Sequence, residues 1–208
     1  MKKIKLIALL FTFSICSSSF GQFNLNFSAG VNQSNCKFEK VGGDTPKSIF
    51  GYFFGFGPSL QITDKIQVQV DFQYSLKGHE TGDEINSLAA ARYGYFDMIP
   101  EVEFYIKKYL TFGLGVNYGI RLNEQIKING EDWSEPVIDT IDRTDFGLTC
   151  KLKGYYKNLF GFARYNLGLK DISDAIAVDD NGQSIGGVRQ FNRNLQIGIG
   201  YRFSFEKS

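Results

Sequence analysis

The chain has 208 residues, and its 23 Lys/Arg against 22 Asp/Glu give a net charge of +1. No basic tract accompanies that balance, so nothing points to nucleic acid as a partner. The length suits one domain, and beyond the N-terminus no apolar run reaches the ~20 residues of a membrane-spanning helix, which excludes a helical membrane protein.

The first residues read as an address. Lys2, Lys3 and Lys5 precede an apolar run from Leu6 to Ile15, and Ser19-Phe20-Gly21 places small residues at the two positions a signal peptidase reads. Residues 1–21 are therefore predicted to be a removed signal peptide, leaving 22–208 as the folded domain. A lipoprotein reading on Cys16 is disfavoured because Ile15 stands where a small residue is needed. Cleavage removes three basic residues and no acidic one, leaving 20 Lys/Arg against 22 Asp/Glu and a net charge near −2.

Eight stretches then alternate apolar and polar residues, the pattern of strands with one greasy and one polar face. Residues 22–34 send Phe23, Leu25, Phe27, Ala29 and Val31 one way and Asn24, Asn26, Ser28, Gly30 and Asn32 the other. Residues 50–62 present Tyr52, Phe54, Phe56, Leu60 and Ile62 over Gly51, Gly55, Gly57, Ser59 and Gln61. The alternation is strictest in 66–77, from Ile66-Gln67-Val68-Gln69 to Tyr74-Ser75-Leu76. Residues 92–106 oppose Phe96, Met98, Val102, Phe104 and Ile106 to Asp97, Glu101, Glu103 and Tyr105. Residues 109–121 oppose Leu110, Phe112, Leu114, Val116, Tyr118 and Ile120 to Thr111, Gly113, Gly115, Asn117, Gly119 and Arg121. In 145–156 Phe146, Leu148, Cys150 and Leu152 oppose Thr149, Lys151 and Lys153. In 159–170 Ala163, Tyr165, Leu167 and Leu169 oppose Arg164, Asn166 and Gly168. Residues 191–205 end with Leu195, Ile197, Ile199, Tyr201, Phe203 and Phe205 over Gln196, Gly198, Gly200, Arg202 and Ser204.

Connections alternate between tight (63–65, 107–108 and 157–158) and long (roughly 35–49, 78–91, 122–144 and 171–190), as in outer-membrane barrels with short periplasmic turns. The fold class read from this is all-β: an eight-stranded antiparallel up-and-down transmembrane barrel, apolar rows toward lipid and polar rows toward the lumen. Tyr109, Tyr155, Tyr156 and Phe205 fall where an inner aromatic belt belongs, and Tyr74, Tyr93 and Tyr118 where an outer one does. Pro58 and Pro100 lie inside predicted strands and are expected to mark a bulge or a locally unpaired position. Phe53, Ile99, Phe160 and Phe162 point inward on this phase. Cys36 is expected in a loop and Cys150 on the lipid face, both as unpaired small residues.

The inward charges form the main candidate site. Asp71, Asp97, Glu101 and Glu103 come from the third and fourth strands, and Arg121, Lys151, Lys153, Arg164 and Arg202 from the fifth to eighth. Isolated charges in so narrow a lumen cost several kcal/mol each, so a salt-bridged plug centred on Glu101, Glu103, Lys151, Arg164 and Arg202 is expected. The outer loops lean acidic. Glu131, Asp132 and Glu135 surround Trp133, the single tryptophan, and Asp179 and Asp180 adjoin a turn at Asn181-Gly182. These are candidate contacts for a protein partner; no cofactor or metal motif is present. The single histidine, His79, reads as a solvated loop residue; an enzymatic alternative pairs it with Ser75, Ser87 or Glu80 in lipid A chemistry.

Tyr95-Phe96-Asp97-Met98-Ile99-Pro100-Glu101-Val102, the glycine-rich run from Phe112 to Gly119, Ala163-Arg164-Tyr165-Asn166-Leu167-Gly168-Leu169 and Gly198-Ile199-Gly200-Tyr201-Arg202-Phe203 resemble segments of the PorT-like outer-membrane barrels. That resemblance implies an eight-stranded barrel in the outer membrane of a Gram-negative envelope, with a possible secretion association. The sequence reading is thus a non-enzymatic, monomeric barrel in contact with outer-membrane lipid and an envelope or secretion protein. A lipid A-modifying barrel using His79 and a soluble periplasmic barrel with the opposite phase, holding an apolar ligand, are the alternatives.

Overall fold

The computed structural model describes residues 22–39, 46–81, 89–128, 132–136, 141–173, 176–178, 184–187 and 189–205. The predicted signal peptide therefore lies outside the described residues, as do Glu131, Asp179, Asp180, Ser87 and the Asn181-Gly182 turn. Eight strands close into an antiparallel ring: β1 (Phe23–Glu39), β2 (Lys47–Thr63), β3 (Ile66–Thr81), β4 (Ala89–Lys107), β5 (Leu110–Ile128), β6 (Thr144–Tyr156), β7 (Leu159–Gly168) and β10 (Arg189–Phe205). A short hairpin of β8 (Ile176–Val178) and β9 (Ser184–Gly187) stands apart from the ring within the connection from β7 to β10. The ring is sealed by β1 against β10, in unbroken register from Phe23↔Phe205 to Glu39↔Arg189.

The phase read from the sequence holds. Phe54, Phe56, Val31, Ile197 and Ile199 are exposed on the outer wall, while Gln67, Gln69, Gln73 and Gln196 are buried inside. The opposite phase required by the soluble ligand-binding alternative is thereby overturned. Ring-to-ring contacts run across the outer wall, with Phe27–Phe203 at 5.8 Å and Phe56–Phe72 at 5.5 Å.

Neither proline shifts the register. Pro58 pairs with Leu25 and Pro100 with Val70, but pairing toward the opposite neighbour lapses at both places and resumes unchanged. Each proline turns its missing donor to that side, so the cost is a local gap. The register shifts lie elsewhere, between Gly94 and Tyr95 in β4, for instance.

Several strands outrun their predicted ends. β1 continues to Glu39, β2 starts at Lys47, β3 continues to Thr81, and β5 reaches Ile128. The polar outward residues of these extensions, such as Lys37 and Lys127, read as loop in the sequence, but backbone pairing does not require an apolar outer face. Cys36 is consequently a buried strand residue rather than a loop residue, and His79 is buried in β3 rather than solvated. Tyr93 and Tyr155 share the parity of Asp97 and Lys153, and both turn into the lumen instead of joining a belt: Tyr93 is buried and Tyr155 stacks 6.4 Å from Tyr105. Tyr109, Tyr118, Tyr156 and Phe205 do face outward, as does Cys150.

Candidate functional site: the lumen

Alternation puts residues two apart on one face, so β4 offers Glu101 and Glu103 together and β6 offers Lys151 and Lys153. These strands are not neighbours; β5 lies between them. Its Gly113 pairs with Glu103 on one side and Lys151 on the other. A Cβ at Gly113 would stand 3.3 Å from Glu103 Cγ, and one at Gly115 would stand 2.7 Å from Glu101 Cγ. Glycine on the inner row of β5 thus clears the space across which acids and bases meet.

Lys151 Nζ lies 2.8 Å from Glu103 and 3.5 Å from Asp71, and it also pairs with Glu101. Lys153 Nζ lies 2.8 Å from Glu103 and donates to Gln69 at 2.7 Å. Arg164 donates through Nη2 and Nε to Glu101 at 2.9 and 3.1 Å, pairs with Asp71, and uses Nη1 on Gln73 and Gln196 at 3.2 and 3.3 Å. Three acids and three bases form one balanced, buried cluster. The amides around it take up donors and acceptors that the ions leave over, which buried charges require.

Three of the predicted members belong elsewhere. Arg202 meets Gln67, Asn26 and the hydroxyls of Tyr105 and Tyr155, lies 4.1 Å from the Tyr155 ring, and has no carboxylate partner among the described residues. Arg121 pairs with Glu124 on its own strand and donates to the Ile141 carbonyl at 2.6 Å. Asp97 forms a second centre with Lys77 at 2.9 Å, and Lys77 also reaches Asp145 at 3.5 Å and the Tyr95 ring at 4.5 Å. Lys77 and Asp145 were missed, although the strand phase points both inward.

Apolar groups occupy the remaining lumen. Phe53, Phe160 and Phe162 cluster inside, with Phe53–Phe162 at 5.7 Å. At the loop end, Ile141 and Ile172 descend onto Ala91, Tyr93 and Tyr95. Their backbones are stitched together: Asp142 N–H donates to Ile172 O at 2.7 Å, and Ile172 N–H donates to Gln190 O at 2.9 Å. Lys170 donates to Asp142 at 2.6 Å across the same junction. That bond, with a second from the Thr144 N–H, holds the Asp142 carboxyl below its ordinary 3.8. Against this packed interior stand Asn32, Asn166 and Asn194, buried side chains whose amide atoms have no partner among the described residues. Asn166 and Asn194 face each other across β7 and β10.

The loop candidates are placed in part. Asp132 and Glu135 are exposed. Trp133 is half-buried, its ring 4.0 Å from the Arg92 guanidinium, and adjacent Ser134 exchanges backbone hydrogen bonds with Ile126 of β5 at 2.8 and 2.9 Å. His79 packs against Phe38 at 5.3 Å and Tyr93 at 6.0 Å, and the Ser75 hydroxyl donates to Asp97. Among the described residues no group of three or more His, Cys, Asp or Glu is arranged to hold a metal.

The sequence matches the family described as outer membrane protein beta-barrel domain over residues 16–174. The chain belongs to that family. Its place is the outer membrane, and its outer wall faces lipid. Among solved structures, OprG of Pseudomonas aeruginosa aligns at a TM-score of 0.52 with 13% identity, covering 88% of this chain and 97% of OprG. Ail, the attachment invasion locus protein of Yersinia pestis, aligns at a TM-score of 0.48 with 16% identity, covering 86% of this chain and 98% of Ail. At such identities the OprG likeness speaks to fold alone. No curated protein matches the chain in sequence.

Proposed function

We propose that this outer-membrane barrel is a closed, non-catalytic monomer that serves the envelope through its outer loops, as a structural or protein-interaction element. The observation that carries this reading is the filled lumen. Six charges from β3, β4, β6 and β7 neutralise one another in burial, and Ile141 and Ile172 stopper the loop end. An eight-stranded barrel has room for side chains or for a channel, not both. The exposed Asp132 and Glu135 remain the contact candidates, with Trp133 holding their loop to the rim. Within the family, the Tyr95–Pro100 segment supports a PorT-like placement and with it a secretion association, and residues 1–21 support export by a removed signal. His79 lies among aromatic rings and Ser75 is committed to Asp97, which supports the non-catalytic reading over a lipid A-modifying one. Single-channel recording in planar bilayers tests the central point. The expected result is no steady current; a stable conductance of nanosiemens size would overturn the closed lumen.

A further inference from the structure

The outer wall bears an apolar groove of about 1130 Å³. Near the turn end its floor is Gly154 and Gly161, which pair across β6 and β7, and its walls are Tyr156, Leu159, Ile199 and Tyr201. Glycine weakens a strand interior, and inside this barrel it is retained where a side chain would collide. That reason is missing here: a Cβ on Gly154 or Gly161 would find its nearest neighbour at 4.0 or 3.8 Å. The two glycines leave a trough where a lipid-facing wall ordinarily carries bulk. The paired row Gly154–Gly161–Ile199–Ala29 follows the groove. Three steps of about 4.8 Å make roughly 14 Å across the strands; with strands tilted by about 45° the row climbs about 10 Å along the membrane normal, within one leaflet of a hydrocarbon core about 30 Å thick.

Polar groups crown the lower mouth of this trough. The β4–β5 and β6–β7 turns carry Lys107, Lys108 and Lys157, all exposed and without an acidic partner among the described residues. Lys157 Nζ stands 5.7 Å from the Tyr156 ring, and Asn158 donates to the Tyr201 hydroxyl at 3.1 Å, bracing the opposite wall. The two turns adjoin, because the Tyr155 N–H donates to Tyr109 O at 2.8 Å. Short turns mark the periplasmic end of such barrels, so these ammonium groups sit at the phosphate level of the inner leaflet.

We propose that the groove is a binding site for one anionic glycerophospholipid of the periplasmic leaflet, its acyl chain in the Gly154–Gly161 trough and its phosphate among Lys107, Lys108 and Lys157. The aromatic walls suit the interfacial depth, and each lysine near an anionic headgroup adds favourable energy. The site stands apart from the lumen and does not depend on whether the lumen is closed.

The test uses the whole barrel reconstituted in equimolar phosphatidylglycerol and phosphatidylcholine, extracted in mild detergent and weighed by native mass spectrometry. Wild type should retain phosphatidylglycerol over phosphatidylcholine by at least about tenfold, with about a hundredfold the ceiling set by three lysines at about 1 kcal/mol each. Gly154→Leu/Gly161→Leu, whose new side chains meet open space, should lower total retained lipid severalfold. Lys107→Gln/Lys108→Gln/Lys157→Gln should abolish the headgroup preference and keep retention of either lipid. Heat-modifiable migration verifies that each variant is folded. Equal retention of the two lipids by wild type, undiminished retention in the glycine variant, or an intact preference in the lysine variant would each overturn the proposal.

Discussion

Arg164→Met probes the lumen most directly. Methionine keeps much of the arginine volume and removes the charge, leaving Asp71, Glu101 and Glu103 against Lys151 and Lys153 alone. At the 2.9 Å separation of Arg164 and Glu101, the gross attraction at an effective dielectric of 20 is ~6 kcal/mol. Desolvation offsets much of this, and removing one partner of a buried pair costs about 3–5 kcal/mol, because the other charge stays buried. Asp71 would retain Lys151 at 3.5 Å as its remaining cation, so the loss should fall in that range. The assay is urea unfolding in lipid vesicles, followed by heat-modifiable migration. Arg164→Met/Glu101→Gln restores charge balance and should recover part of the loss, a coupling of about 1–3 kcal/mol. A cost below about 1 kcal/mol, the range of solvent-exposed pairs, or strict additivity of the two changes, would refute the buried-cluster argument.

Gly200→Val should destabilise by about 1–3 kcal/mol in the same assay, because a Cβ there runs into the Phe160 ring and the Phe27 carbonyl. Trp133→Ala removes the stack on Arg92 and should free the loop between β5 and β6 at a cost of about 0.5–1 kcal/mol; faster protease cleavage near Ser134 on intact cells is the readout. The Asp142–Lys170 pair should act as an acid-sensitive tie between two loops. Its carboxyl is lowered in the folded state, so its contribution is fully present above the ordinary value of 3.8 and is lost as pH falls below it through the folded value. Protection of the Ile172 amide against hydrogen exchange, taken relative to the intrinsic rate at each pH, should fall over that acid range in wild type, and Asp142→Asn should show the lowered protection already at neutral pH.

What the sequence made legible was parity. Once Gln67-Val68-Gln69 fixes which residues of β3 turn inward, the same alternation assigns Glu101, Glu103, Lys151, Lys153 and Arg164 to the lumen, and there they meet. Parity carries no height, however. Arg202 and Arg121 also point inward, but barrel stagger puts Arg202 among phenols and amides and Arg121 at the outer rim beside Glu124. Strand ends were illegible for another reason. Apolar side chains stop at the lipid border, and the reading stopped with them, whereas the hydrogen-bonded ladder continues into water. That one omission misplaced both Cys36 and His79. The loop cap was unreadable in kind: Ile141 and Ile172 lie outside any alternating run, and nothing local says that they descend onto Tyr93 and Tyr95.

The two sides of the lumen are held by different forces, which bears on where movement could begin. β3, β4, β6 and β7 are cross-linked by charges whose separation in a buried site is costly. β1 and β10 face inward mainly with amides; Asn32 and Asn194 have no hydrogen-bond partner among the described residues, and the side-chain ties that cross this seam, Cys36 to Gln190 and Asn192 and Arg202 to Asn26, are hydrogen bonds rather than ion pairs. Their backbone ladder is nevertheless the longest unbroken pairing in the ring, running from Phe23↔Phe205 to Glu39↔Arg189. The seam is thus secured by its backbone and by neutral or singly charged hydrogen bonds, and the opposite wall by its ion pairs. A solute path could open along the amide wall only after Ile172, which lies beside β10 through its bond to Gln190, leaves the loop-end stopper. Any gating of this barrel must therefore start in the loops, the same part of the molecule that exposes Asp132 and Glu135.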